Sequence, residues 1–176
     1  MSETKTKCVF LDRDGVLNED CTNYVYNLKD LVIPEGVPEA LQMLKDAGFL
    51  LVVVTNQAGI AKGLYTAENV YMIHQAMQEA SGNALDDLYF SPYHPQNSGI
   101  SLSRKPGSLM LEKAIAKYDI DPSQSWMVGD RDRDMEAGKN AGVRTIHIIP
   151  ENEKSYGDYA AVNLLEAANI ILKNQN

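Results

Sequence analysis

The sequence predicts an α/β protein: a five-stranded or slightly larger parallel sheet between helices, in one domain spanning residues 1–176. Short apolar runs at Cys8–Leu11, Leu50–Val54, Leu88–Phe90, Trp126–Val128 and Thr145–Ile149 alternate with segments of helical period. The clearest of these runs are apolar throughout, the pattern of strands covered on both faces. No linker, repeat or low-complexity tract divides the 176 residues, a length near that of a single domain.

Each element has a local reason. Cys8-Val9-Phe10-Leu11 stops abruptly at Asp12-Arg13-Asp14-Gly15, as a strand feeding a polar turn does. A polar loop with Tyr24 and Tyr26 follows from Asn18 to Asp30, and Pro34-Glu35-Gly36 punctuates it. Val37, Ala40, Leu41, Leu44 and Ala47 then recur at helical spacing before Gly48, a C-cap residue. The second strand ends at the polar turn Thr55-Asn56-Gln57-Ala58-Gly59. Thr66 caps a helix whose core side is Val70, Ile73 and Met77, and Gly82 ends it. After the third strand, Ser91 to Ser103 reads as loop and closes with Arg104-Lys105-Pro106-Gly107. Leu111, Ala114, Ile115 and Tyr118 mark another helix, and Asp121-Pro122 reads as N-cap and first residue of a short one. The fourth strand runs into Gly129-Asp130-Arg131-Asp132-Arg133-Asp134 and a brief helix to Ala141. Beyond the fifth strand, Leu164, Leu165, Ala168, Ile171 and Leu172 form the last helical stripe.

Composition excludes several roles. Sixteen Lys+Arg against 24 Asp+Glu, a net charge of −8, argue against non-specific binding to nucleic-acid backbones. The longest apolar run, Phe49–Val54, is about a third of a membrane span, so no membrane-crossing helix is expected. Met1–Lys7 is polar and carries no secretory apolar segment. Two cysteines, Cys8 and Cys21, are too few for a disulfide scaffold and point to reduced thiols in a cytoplasmic protein. A monomer is the expected state.

Four polar clusters, Asp12–Gly15, Thr55–Gln57, Arg104–Lys105 and Asp130–Asp134, follow inferred strands or precede helices. In an open parallel sheet the carboxyl ends of the strands share one edge, where ligands bind. Clusters distant in sequence therefore meet in one crevice. Carboxylates gathered there repel unless a cation lies among them, and an oxygen-rich set suits Mg²⁺. Lys105, Arg104 and Thr55 add cationic and hydroxyl donors for a phosphoryl group, which completes the ingredients of phosphoryl transfer. Singly, each cluster has an ordinary structural explanation: an Asp-Gly turn, a helix cap, a solvated loop lysine, acids placed to suit a helix dipole. Their joint placement on one sheet edge is what these explanations do not predict.

With those residues in view, the chain resembles the haloacid dehalogenase-like (HAD) phosphatase superfamily. Leu11-Asp12-Arg13-Asp14-Gly15-Val16-Leu17-Asn18 is similar to its first motif, Thr55 to its second, Lys105 to its third, and Gly129-Asp130 through Asp134 to its fourth. Val52–Gly63 and Ser103-Arg104-Lys105-Pro106-Gly107 resemble the histidinol-phosphate and heptose-bisphosphate phosphatase branch, nearer its heptose members. The resemblance implies a capless Rossmann-like fold and a Mg²⁺-dependent phosphomonoesterase acting on the C7 phosphate of a heptose 1,7-bisphosphate, on the route to nucleotide-activated heptose. A histidinol-phosphate phosphatase, a nucleic-acid 3′-phosphatase, or a non-catalytic phosphate-binding module on the same fold are the alternatives. Asp12 would be the nucleophile that forms an aspartyl-phosphate, and Asp14 the acid and then the base. Thr55 and Lys105 would stabilise the transferring phosphoryl group. Asp12, the Asp14 backbone carbonyl and Asp130 would hold Mg²⁺, with Asp134 orienting Lys105 or the metal shell. Asp20, Asn23, Tyr24, Asn56, Gln57, Arg104 and Arg131 fall where the branch contacts the rest of its substrate.

Two departures from the branch stand out. Its zinc loop carries a Cys-x-His pair and a later Cys-x-Cys; the corresponding positions here are Ser91, Tyr93, Ser101 and Ser103, so no structural zinc is expected. His94 stands alone nearby. About 40 residues separate the first two motifs and about 50 separate Thr55 from Lys105, intervals that ordinary sheet helices fill without a lid domain.

Overall fold

In the computed structural model, which describes residues 5–175, six strands lie parallel in one sheet in the order β3-β2-β1-β4-β5-β6. They are β1 (Cys8–Leu11), β2 (Leu50–Asn56), β3 (Asp87–Ser91), β4 (Trp126–Gly129), β5 (Arg144–Ile148) and β6 (Tyr159–Ala161). The helices are α1 (Val37–Asp46), α2 (Ala67–Ala80), the single turn α3 (Pro95–Ser98), α4 (Leu109–Tyr118), α5 (Asp132–Asn140) and α6 (Leu164–Lys173). No inserted cap is present among the described residues. Residues 1–4 of the expected polar segment Met1–Lys7 lie outside them.

Strand side chains alternate between two cores. Val9, Leu11, Leu51, Val53, Trp126 and Val128 face α1, α2 and α6, while Cys8, Phe10, Val52, Val54 and Met127 face α4 and α5. Both faces are apolar because helices cover both, which is why the strands read as continuous apolar runs.

The chain builds β1-β2-β3 to one side and then returns to lay β4-β5-β6 on the other. Its winding reverses between β1 and β4, and such a switch point opens a crevice at the strand ends. Leu11 is paired with both Val53 and Val128, and the Asp12 amide donates to the Val128 carbonyl at 2.9 Å. Asp12 thus emerges beside Thr55 and Asp130.

Six strands fall within the expected five or slightly more, and three details add to the sequence expectation. A sixth strand, β6, extends the sheet; three residues with two exposed carry no strand signature of their own, and pairing with β5 defines them. β2 continues through Thr55 and Asn56 because β3 pairs with them, Thr55 to Phe90 and Asn56 to Ser91. Within the 91–103 loop, Pro95–Ser98 forms one helical turn, and His94 Nδ1 accepts from the Gln96 amide at 3.3 Å. His94 serves there as a cap.

Candidate active site

Lys105 lies at the floor of the crevice, fully buried, on the loop preceding α4. Its Nζ stands 2.9 Å from Asp12 Oδ1 and 2.7 Å from Asp134 Oδ1, and donates to the Val54 carbonyl at 2.8 Å. Three oxygens around one ammonium answer the cost of burying it. Burial alone would depress the Lys105 ammonium, but Asp12 and Asp134 outweigh it and hold it above the ordinary lysine range. Burial pushes the Asp12 carboxyl up to about 7; Asp134 adds to that rise and Lys105 opposes it. Asp12 Oδ1 also accepts from the Arg13 amide at 2.8 Å. Asn56 secures the lysine's backbone: its Nδ2 donates to the Lys105 carbonyl and its Oδ1 accepts from the Lys105 amide, both at 3.0 Å.

Asp14 is held by a second network. Its Oδ1 accepts from Arg13 Nη2 at 2.9 Å and Asn18 Nδ2 at 3.0 Å, and its Oδ2 from Gln57 Nε2 at 3.1 Å. Gln57 Nε2 also donates to Thr55 Oγ1 at 2.8 Å, and Gln57 Oε1 accepts from the Tyr65 hydroxyl at 2.6 Å. Arg13 is buried and reaches the Val25 carbonyl at 2.8 Å, tying the loop after β1 to the same carboxylate. Sequence reasoning missed Arg13, Asn18 and Tyr65 as parts of the site. Alternation along an extended chain would send Arg13 away from Asp12 and Asp14, so the pattern that places the two aspartates together carries no signal for the arginine that bonds Asp14 at 2.9 Å.

A cavity of about 270 Å³ opens above these groups, lined among others by Asp12, Asp14, Asn56, Asp130, Tyr24 and Arg133. Asp20 and Arg131 also line it and pair with each other at 2.7 Å, while Arg131 Nε stands 3.0 Å from Asp130. Arg133, absent from the sequence expectation, makes no ion pair among the described residues. Tyr24, at φ 64°, accepts a 2.7 Å hydrogen bond from Lys62. Three expected substrate contacts do not line it: Asn23 lines a neighbouring depression, Gln57 is buried beneath the cavity, and Arg104 is not in its wall. Arg104 donates to the Tyr93 carbonyl at 3.1 Å. Ser103 stands 3.2 Å from Ser91 and 2.9 Å from Ser101, hydroxyl to hydroxyl, so three of the four zinc-loop positions form a hydrogen-bonded serine cluster.

The donor set suits a hard divalent cation. Carboxylate oxygens of Asp12, Asp130 and Asp134 lie within 4.8 Å of one another. Burial raises the Asp130 carboxyl, with the Arg131 charge opposing. Both Asp134 oxygens are engaged, Oδ1 by Lys105 and Oδ2 by the Arg131 amide at 3.0 Å, which leaves Asp12 and Asp130 as the freer pair. Gly15, at φ +84°, passes so close to Asp130 that a Cβ there would collide with the carboxylate. The backbone of the first turn is thereby pressed against the fourth-strand acid.

Comparison with known proteins agrees with this geometry. The HAD-hydrolase-like family model matches residues 102–154. A D-glycero-β-D-manno-heptose-1,7-bisphosphate 7-phosphatase of Haemophilus ducreyi is 42% identical over 79% of this chain and 80% of its own length. The D-glycero-α-D-manno-heptose-1,7-bisphosphate 7-phosphatase of Burkholderia mallei is 37% identical over 86% and 84%. A crystal structure of D,D-heptose 1,7-bisphosphate phosphatase from B. bronchiseptica, complexed with magnesium and phosphate, superposes with a TM-score of 0.85 at 27% identity, covering 96% of this chain and 99% of that one. The chain belongs to the heptose-1,7-bisphosphate 7-phosphatase family of HAD-like hydrolases.

Proposed function

We infer that this chain is a phosphomonoesterase that removes the C7 phosphate of D-glycero-D-manno-heptose 1,7-bisphosphate. One observation supports it above the others: Lys105 is clamped between Asp12 and Asp134 at the floor of a cavity that also presents Asp14 and Asp130. That arrangement supplies a nucleophile, a fixed cation, a second carboxylate and a metal ligand within one small volume. A non-catalytic module needs no such set.

Asp12 attacks phosphorus, forming an aspartyl-phosphate as the sugar oxygen leaves with a proton from Asp14. Asp14 then takes a proton from water, whose oxygen attacks the same phosphorus and restores the Asp12 carboxylate. The Arg13 amide and Lys105 hold Asp12 Oδ1, so Oδ2 is the oxygen free to attack. Lys105 and Thr55 stabilise charge on the phosphoryl oxygens. Asp12, Asp130 and the Asp14 backbone carbonyl would hold Mg²⁺, which when bound offsets the negative charge of carboxylates and phosphate. Asp134 keeps Lys105 in place. Arg133, at the cavity wall and without an ion pair among the described residues, meets the second phosphate, with Tyr24 on the same wall and Arg104 within electrostatic reach of both. The serine cluster replaces the zinc loop as support for the Arg104 segment.

We further propose that residues 1–176 act as one domain, a cytoplasmic monomer without nucleic-acid partners; the net charge of −8 and the unpaired Cys8 and Cys21 support this. Among the described residues no helix is long and apolar enough to cross a membrane.

The test is phosphate release with Mg²⁺ from both anomers of heptose 1,7-bisphosphate beside histidinol phosphate and fructose 1,6-bisphosphate. Preference for a heptose anomer is expected. Indiscriminate turnover of all four would retain the chemistry and discard the heptose assignment.

A further inference from the structure

Tyr65 is buried, and its ring leaves no room for a side chain at Gly59, where a Cβ would strike the aromatic carbons. The ring stacks on Tyr26, with centroids 5.2 Å apart and planes 13° apart, and meets Tyr24 edge-on at 5.8 Å. Its hydroxyl is therefore fixed by packing, and its one proton goes to Gln57 Oε1 at 2.6 Å. With Oε1 committed as acceptor, the Gln57 amide must turn Nε2 toward Thr55 Oγ1 and Asp14 Oδ2. The reversed amide would set a carbonyl oxygen against the Asp14 carboxylate. Tyr65 itself does not line the cavity that holds Asp12 and Asp14.

We propose that Tyr65 is a positioning residue, acting through Gln57, that aims Asp14 for proton transfer to the leaving oxygen. The proposal rests on the role of Asp14 as acid and base in the phosphatase reading. Packing of Tyr65 against Tyr24, which lines the cavity, also ties that aim to the loop that meets the substrate. Burial pushes the Tyr65 phenol up to about 12, which keeps the hydroxyl a donor across the neutral range.

The leaving group separates positioning from general structural support. A sugar oxygen needs a proton to depart, whereas 2,4-dinitrophenolate does not. Tyr65→Phe keeps the ring and removes only the hydroxyl. We compare, with Mg²⁺ present, the rate of phosphoryl loss from heptose 1,7-bisphosphate and the burst rate of dinitrophenolate from 2,4-dinitrophenyl phosphate. The ratio of sugar rate to burst rate falls about tenfold in Tyr65→Phe, and further in Gln57→Glu, which sets an acceptor against Asp14. An unchanged ratio, including equal loss on both substrates, overturns the proposal. If Tyr65→Phe fails to fold, judged by its melting transition, Gln57→Glu carries the same ratio test. No turnover of either substrate by the unaltered protein overturns the phosphatase reading and the positioning role with it. Turnover of a different sugar phosphate alone discards the heptose assignment, and the ratio is then read on that sugar.

Discussion

Asn56 holds the backbone of Lys105 from both sides, donating to its carbonyl and accepting from its amide at 3.0 Å each. The last residue of β2 thus places a lysine 49 positions further along the chain. A buried ammonium between two carboxylates tolerates little displacement, because its partners would then be left unpaired in a region of low dielectric. Asn56→Ala removes both tethers without touching the charges. Turnover should drop about tenfold or more, with stability lowered by about 1–3 kcal/mol. Steady-state kinetics and urea unfolding measure the two effects separately.

Asp12 sets a pH dependence. Its carboxyl is raised from 3.8 to about 7 by burial and by Asp134, so the native state holds a proton that the unfolded chain releases near pH 4. The sign follows: without metal, this group's contribution to stability is complete below about pH 4 and is lost as pH rises through about 7. A divalent cation requires the ionised carboxylate. The rise in melting temperature on adding Mg²⁺ should therefore grow between pH 6 and 8, and binding should release protons in calorimetry across buffers of different ionisation enthalpy. A Mg²⁺ response that weakens over that range would contradict the assignment.

Arg133 lines the cavity and has no ion-pair partner among the described residues, whereas its neighbour Arg131 is occupied by Asp20 and Asp130. Replacing Arg133 by Ala should raise KM for the bisphosphate about tenfold relative to KM for the corresponding 7-monophosphate, the loss expected for a charge-assisted hydrogen bond. Arg131→Ala should instead act on stability and on the Asp20 loop. Parallel KM measurements on the two substrates decide it.

Much of this site is legible in the sequence because its residues stand at strand ends, and strand ends in a parallel sheet converge. Asp12, Thr55 and Asp130 are found together for that reason alone, and Lys105 follows from the loop that leads into α4. What alternation and spacing do not convey is the direction of side chains beyond the last paired residue. Gln57, one residue past β2, lies under the cavity instead of in its wall; Tyr65, nine residues past the end of the same strand, returns to meet it through packing on Tyr24 and Tyr26. Asp20 and Arg131, both expected at the substrate, satisfy each other across 111 positions. β6 is invisible for a related reason: Tyr159–Ala161 has no periodicity of its own and becomes a strand by pairing with β5.

The most direct test of the central claim is whether Asp12 carries the phosphoryl group. Rapid quenching during turnover of heptose 1,7-bisphosphate, followed by mass spectrometry of the peptide containing Asp12, should show one phosphoryl group on that residue. Asp12→Asn should show neither the adduct nor turnover. Full turnover by Asp12→Asn, or phosphorylation at another residue, would contradict the account.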